Sequence, residues 1–114
     1  MSGPLPTAVL RHLVLLSFLP QVDTDAIAGI DAAFRALPAQ IALIRSFECG
    51  TDASPEGLGQ GYTHAYVLGF ADAAARDAYL VHPAHQAFVA RVKPLLDRAL
   101  VFDYLADTVP PAIA

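Results

Sequence analysis

The sequence predicts one α+β domain, because apolar strand-like runs alternate with helical patterns along a chain of single-domain length. The chain has 114 residues, which is enough to bury one hydrophobic core but not two. Hydrophobic residues make up 55% of the chain and charged residues 16%, on the apolar side of the range for globular proteins. We therefore expect one domain over residues 10–106, between an N-terminal tail at 1–9 and a C-terminal tail at 107–114.

The first strand and the first helix are indicated by their apolar periodicity. Residues 11–18 (RHLVLLSF) are apolar on both alternating faces and are followed by Pro20, which predicts a strand buried on two sides. The acidic and hydroxyl residues at 23–25 are typical of a helix start, and apolar residues then recur at helical spacing. Pro38 is expected to end this helix.

Two further strands are predicted on either side of a glycine-rich connection. Residues 41–49 (IALIRSFEC) predict the second strand, and residues 62–70 alternate as the third. Between them, residues 50–61 (GTDASPEGLGQG) contain the Gly and Pro residues that are typical of turns.

The last elements surround a proline that interrupts a helical region. Asp72 is a suitable N-cap for a helix that runs to Tyr79, and Pro83 is placed to begin another helix toward Leu96. Residues 99–105 predict the last strand. The resulting order is strand, helix, strand, strand, broken helix, strand, which is that of the ferredoxin-like fold: a four-stranded antiparallel sheet with helices on one face.

The open face of such a sheet predicts a homodimer. Leu13 and Leu15 point away from Val14, and Leu100 points away from Val101, so both faces of these strands are apolar. Helices cover only one face, and a monomer rarely exposes an apolar patch of the size that remains. A second identical subunit packed about a two-fold axis would cover it.

Three polar residues fall within apolar rows of these strands. His12 shares a face with apolar residues of the first strand, His64 with those of the third, and Asp103 with those of the last. A buried imidazole or carboxylate needs hydrogen-bond partners, so we expect these groups to meet such partners inside an apolar cavity in each subunit. The small residues at 63, 65, 67 and 69 predict that this other face of the third strand packs against helices.

The segment 79–85 (YLVHPAH) carries the residues best suited to acid–base chemistry. His85 falls in the first turn of the helix begun by Pro83, where the helix dipole favours the neutral imidazole of a general base. Tyr79 is predicted to donate a hydrogen bond to an oxygen that gains negative charge. His82 is expected to cap the helix.

Composition and motifs exclude several partners. The net charge of -4, with no basic run, argues against nucleic acid, and no apolar run is long enough to span a membrane. The single cysteine, Cys49, cannot form an internal disulfide and predicts a reducing, cytoplasmic compartment. No metal, flavin or nicotinamide motif is present, so no cofactor is predicted. The expected partners are a small apolar ligand and a second copy of the chain.

Four segments give the chain a resemblance to a known family: HLVLLSF in the first strand, SFECGTDASPEGLGQGYTHAYVLGF from the second strand through the third, YLVHPAHQAF at the broken helix and ALVFDYL in the last strand. Over residues 11–105 the chain resembles the stress-responsive A/B barrel domain proteins, also called dimeric α/β barrels. The resemblance implies the ferredoxin-like fold and the dimer. One plant member closes a linear polyketide by aldol condensation without a cofactor.

The resemblance to that cyclase also implies a set of site residues. The catalytic pair would be His85 and Tyr79, with Asp103 as the carboxylate that orients His85. Tyr66 replaces a smaller aliphatic residue and Leu96 an aromatic one, which predicts a different cavity shape and a different substrate. The implied cavity lining consists of His12, Val14, Leu16, Ile30, Phe34, His64, Tyr66, Leu68, Leu96 and Val101.

Three functions remain open on these grounds. The first is a cofactor-free cyclase or aldol-type lyase, in which His85 removes a proton next to a carbonyl and Tyr79 stabilises the enolate. The second is a non-catalytic, stress-related binding or scaffold module whose histidines satisfy one another. The third is a cofactor-free monooxygenase-like enzyme, which would share the same dimeric architecture.

Overall fold

The computed structural model describes residues 9–112, which fold as one sheet covered on one side by helices. The strands are antiparallel and lie in the order β2-β3-β1-β4, which confirms the predicted ferredoxin-like fold. Residues 1–8 and 113–114 of the predicted tails lie outside the described residues, and residues 107–112 form neither helix nor strand. The elements are β1 (Leu10–Phe18), α1 (Thr24–Arg35), α2 (Leu37–Gln40), β2 (Ser46–Thr51), β3 (His64–Phe70), α3 (Ala73–Leu80), α4 (Pro83–Val92), a 3-10 turn (Lys93–Leu95) and β4 (Leu96–Leu105).

The predicted helix starts are confirmed by their capping hydrogen bonds. The side chains of Asp23 and Asp72 each accept a hydrogen bond from a backbone N–H in the first turn of α1 and α3, both at 2.8 Å. His82 caps α4 as predicted, because its Nδ1 accepts a hydrogen bond from the N–H of Ala84 at 3.0 Å. These side chains satisfy donors that have no partner within the helix.

The predicted bounds of the second strand are wrong. Pro38 does not simply end the helical region: it lies in the first turn of the short helix α2, a position that suits proline because no N–H is needed there. Ile41 and Ile44 are consequently buried in the turn after α2, and β2 begins only at Ser46. At the other end of the chain, α4 stops at Val92 and β4 begins at Leu96, earlier than predicted.

The face of the sheet that carries His12 packs against the helices. On β3, Tyr66, Leu68 and Phe70 lie on this face and are at most 1% exposed. The prediction that the small residues at 63, 65, 67 and 69 face the helices is therefore wrong. Large apolar side chains remove more surface from water beneath the helices, so the small residues are left on the open face.

Two parts of the sheet remain without cover. The open face presents Leu13 and Leu15 of β1 beside Phe102 of β4, which is 58% exposed. β4 is an edge strand, and on its helix-facing side Val101 is still 59% exposed. No helix within residues 9–112 is long and apolar enough to cross a membrane.

Candidate active-site cavity

A cavity of about 330 Å³ lies between the helix-facing side of β1 and β4 and the helices α3 and α4. Its wall is apolar except for a few side chains, of which two histidines and a tyrosine are grouped near the start of α4. The cavity is lined by His12, Val14, Leu16, Phe34, Tyr79, Leu80, His85, Phe88, Val89, Val92, Lys93, Leu96, Ala99 and Val101.

His85 is held in the tautomer that suits a base. Its Nδ1 lies 3.0 Å from the carbonyl oxygen of Leu80. A carbonyl only accepts hydrogen bonds, so Nδ1 carries the hydrogen and Nε2 keeps a free lone pair. Burial lowers the pKa of His85 below 6.5, and the neighbouring His12 and His82 lower it further against the opposing effect of the Leu80 hydrogen bond. The imidazole is therefore neutral near pH 7.

Tyr79 stands beside this base. The Tyr79 ring is 1% exposed, and its centroid lies 4.4 Å from that of His85. Burial raises the pKa of the Tyr79 hydroxyl well above its ordinary value, so the group stays protonated and acts as a donor. The ring of His12 also lies beside Tyr79, at a centroid distance of 5.9 Å. The two histidines thus flank one tyrosine at the apolar cavity.

Asp103 holds His12, and the expectation that it orients His85 is wrong. The β1–β4 register places His12 directly opposite Asp103, and His12 Nδ1 lies 2.7 Å from Asp103 Oδ1. The other carboxylate oxygen of Asp103 accepts a hydrogen bond from Arg76 at 2.8 Å. Because Asp103 takes up the Nδ1 side of His12, Nε2 is the nitrogen left for a ligand.

Of the residues predicted to surround the ligand, seven besides His85 line the cavity: Tyr79, His12, Val14, Leu16, Phe34, Leu96 and Val101. Asp103 stands behind His12 instead of lining the wall. Ile30 and Leu68 are fully buried core residues, at 1% and 0% exposed. Neither is among the residues that line the cavity.

Tyr66 and His64 belong to the far end of the sheet. The Tyr66 hydroxyl donates to Asp31 at 2.5 Å, and its ring stacks on Phe34 with a centroid distance of 4.1 Å. His64 contacts the Thr63 hydroxyl at 2.8 Å. On β3, His64 is four residues from the partner of His12, or roughly 13 Å along the strand. The implied placement of His64 and Tyr66 in the cavity lining is therefore wrong.

Several lining residues were not predicted from the sequence. On α4, Phe88, Val89 and Val92 follow His85 at spacings of three, four and seven residues, which is one face of a helix. This periodicity can be read from the sequence, and it would have identified these three residues as neighbours of His85 on one helix face. Arg76 lies three residues before Tyr79 on α3, but nothing in its local sequence indicates that it reaches Asp103 on β4. The other lining residues not predicted are Leu80, Lys93 and Ala99.

The fold and the cavity together define a ferredoxin-like α+β domain with a ligand-sized hollow between its sheet and its last two helices. Within residues 9–112, no group of three His, Cys, Asp or Glu side chains is placed to hold a metal ion. Residues 10–106 match the model of the stress responsive A/B barrel domain, and the chain belongs to this family.

Two relatives illustrate the range of the family. A stress-response A/B barrel domain-containing protein of Arabidopsis thaliana is 34% identical over 99 residues, which cover 87% of this chain and 91% of the relative. Olivetolic acid cyclase of Cannabis sativa is 24% identical over 94 residues, which cover 82% of this chain and 93% of the cyclase.

Two solved structures show the same fold. Hydroxynitrile lyase from Passiflora edulis superimposes with a TM-score of 0.84 at 25% identity, over 93% of this chain and 100% of the lyase chain. A protein of unknown function from a Jannaschia species, described as dimeric and ferredoxin-like, has a TM-score of 0.75 at 28% identity. That match covers 86% of this chain and 99% of the Jannaschia chain.

Proposed function

We propose that the cavity binds a small, largely apolar carbonyl compound and that His85 removes a proton from the carbon next to the carbonyl. Tyr79 donates a hydrogen bond to the oxygen that becomes an enolate. One observation carries this proposal: the neutral imidazole of His85, with Nε2 free, lies beside the protonated phenol of Tyr79 at an apolar cavity wall. The centroids of the two rings are 4.4 Å apart.

Each side chain has a defined part in the proposed step. The C–H bond breaks, its electron pair forms the carbon–carbon double bond of the enolate, and the proton moves to His85 Nε2. The hydrogen bond between His85 Nδ1 and Leu80 steadies the ring while it accepts this charge. The apolar wall strengthens the hydrogen bond from Tyr79 to the enolate oxygen, because little water competes for it. The enolate then attacks a second carbonyl or is reprotonated.

The names of two similar proteins favour a catalytic role over a scaffold role. One relative is a cyclase and one structural neighbour is a lyase, and both names denote enzymes. The two side chains that the proposed reaction needs, those of His85 and Tyr79, both line the cavity. A non-catalytic binding module and a monooxygenase-like enzyme remain the alternatives.

The test follows deuterium exchange at the carbon next to the carbonyl of benzylacetone, a neutral methyl ketone, by NMR. His85→Gln is expected to slow the enzyme-dependent exchange by at least about 100-fold, the usual contribution of a general base. His64→Gln is the matched control, because it removes a histidine outside the cavity, and it should leave the rate within about twofold. Equal rates in His85→Gln and the parent would overturn the proposal.

The same samples separate the alternatives. A binding module binds the ketone, as seen by shifted amide resonances, but does not accelerate exchange above buffer. A monooxygenase-like enzyme consumes oxygen in an electrode cell when the ketone is added. Exchange without oxygen uptake is the outcome that supports the proposed enolate chemistry.

We also propose that the domain, residues 10–106, forms a homodimer through the open face of the sheet. Leu100, Phe102 and Tyr104 of β4 lie on this face and are 38%, 58% and 44% exposed. At about 25 cal/mol per Å², covering several hundred Å² of such surface stabilises a pair substantially. The Jannaschia structure, described as dimeric, supports this assembly.

Light scattering of the eluting protein tests the dimer. Phe102→Glu should elute as a monomer, because a carboxylate in the interface loses its hydration. Val81→Glu adds the same charge at an exposed residue of the α3–α4 corner, off the open face, and should remain dimeric. A parent protein that is monomeric at micromolar concentration would contradict the proposal.

A cytoplasmic location is proposed on the ground that Cys49 is the only cysteine and has no disulfide partner. Fractionation of the host cells would test it.

A further inference from the structure

The only lysine of the chain lies at the cavity. Lys93 follows α4 as its C-cap, with helical backbone angles, and it is the one Lys or Arg among the lining residues. The ion pairs found within residues 9–112 involve His12 and three arginines but not Lys93. Lys93 is therefore an exposed basic residue that lines an apolar cavity, in a chain whose net charge is -4.

Lys93 lies at the opposite end of α4 from the proposed base. His85 and Lys93 are eight residues apart on one helix, which is about 12 Å along the axis. Between them the wall is formed by Phe88, Val89 and Val92. Along α4, the residues that line the cavity thus begin with the proposed base, continue with apolar side chains and end with the single lysine.

We infer that the cavity takes a monoanionic amphiphile, whose carboxylate pairs with Lys93 while its apolar body extends toward His85 and Tyr79. This inference rests on the proposed function and adds the substrate class: a carbonyl compound that carries a carboxylate at its far end. A carboxylate fits better than a phosphate because only one cation is present. Lys93 also sits at the carbonyl end of α4, where no helix N–H groups are free to hold a dianion.

A purely structural role for Lys93 predicts different binding. A lysine at a helix C-terminus interacts favourably with the helix dipole, and its aliphatic stem covers apolar surface. Neither effect gives a preference between a charged and a neutral ligand of the same length. The preference itself is therefore the quantity to measure.

The experiment titrates the full chain with octanoate and with octanol and follows amide chemical shifts. Neither probe has a ketone, so the result does not depend on catalysis. Octanoate is expected to bind the parent about fivefold more tightly than octanol, the effect of one partly exposed charge pair. Lys93→Gln should abolish this preference and Lys93→Arg should retain it.

Arg91→Gln is the matched control for net charge. Arg91 is on the same helix but lines a different surface, beside Leu37 and Ala84, so its loss should leave the octanoate preference unchanged. A second readout uses the single lysine: after reductive methylation with labelled formaldehyde, the Lys93 methyl resonance should shift when octanoate binds and not when octanol binds.

The inference is overturned if the parent shows no preference, if Lys93→Gln keeps it, or if Arg91→Gln loses it equally. The two proposals can fail separately. If octanoate is preferred but benzylacetone does not exchange, only the catalytic proposal is contradicted. If benzylacetone exchanges but octanoate is not preferred, only the assignment of the anionic ligand is contradicted.

Discussion

The two ends of the helix-facing side of the sheet carry one histidine each, and their surroundings differ. At one end, His12 is paired with Asp103 and flanked by Tyr79 at an apolar cavity. At the other end, His64 bonds to the neighbouring Thr63 hydroxyl and lies against Phe18. Strand alternation places both histidines on the same face. The helices and the opposite strand decide which of them meets a carboxylate and a hollow.

Each end also contains one buried tyrosine, so one pair of variants tests whether the two ends differ in function. Tyr79→Phe removes a hydroxyl that would face the ligand and is expected to slow benzylacetone exchange about 100-fold, as for the loss of one oxyanion donor. Tyr66→Phe removes the hydroxyl bonded to Asp31 and should leave the exchange rate unchanged.

Urea unfolding should show the reverse order for the same two variants. Tyr66→Phe is expected to lower the free energy of unfolding by about 1.5 kcal/mol, because a hydrogen bond to a charged group is lost. Tyr79→Phe should lower it by less, because the contacts of Tyr79 with His12, Phe70 and His85 are ring contacts that phenylalanine keeps. Equal exchange rates in the two variants would remove the functional distinction between the two ends.

The carboxylates at the two ends should differ in their effect on stability. Asp103→Asn leaves the Asp103 partners, a nearly buried His12 and Arg76, without their negative charge. We expect a loss of about 2 kcal/mol in the free energy of unfolding, measured by urea titration. Asp31→Asn also removes a carboxylate partnered by two groups, Tyr66 and Arg35, but its arginine partner is mostly exposed. About 1 kcal/mol is expected there, and the opposite order would contradict the burial difference.

The smallest expected effect is on the pH dependence of stability. The folded-state pKa of His85 is lowered by burial below 6.5, so the unfolded chain binds more protons as the solution becomes acidic. The contribution of His85 to the free energy of unfolding is therefore fully present above about pH 6.5 and is lost as the pH falls. His85→Gln should therefore flatten the dependence of the unfolding free energy on pH between about pH 7 and 5, measured by urea titration at each pH. Parallel curves for the variant and the parent would show that His85 is not responsible.

Most of the fold was predictable because its signals are local. Asp23, Asp72 and Pro83 mark helix starts within a few residues, and alternation identifies the four strands. The bounds of β2 were missed because Pro38 is compatible both with the end of one helix and with the first turn of another. In the candidate site, Tyr79 and His85 were found because they flank one short loop.

The sequence by itself determined the order of the elements, the capping of the helices and the neighbourhood of Tyr79 and His85, since all of these depend on residues close together in the chain. Only the tertiary structure decided that Asp103 holds His12, that Arg76 backs Asp103, and that Lys93 stands at the far end of the cavity. These contacts depend on strand register and helix packing between residues distant in the chain. Side-chain alternation assigns a residue to a face of the sheet but does not assign its partner on that face.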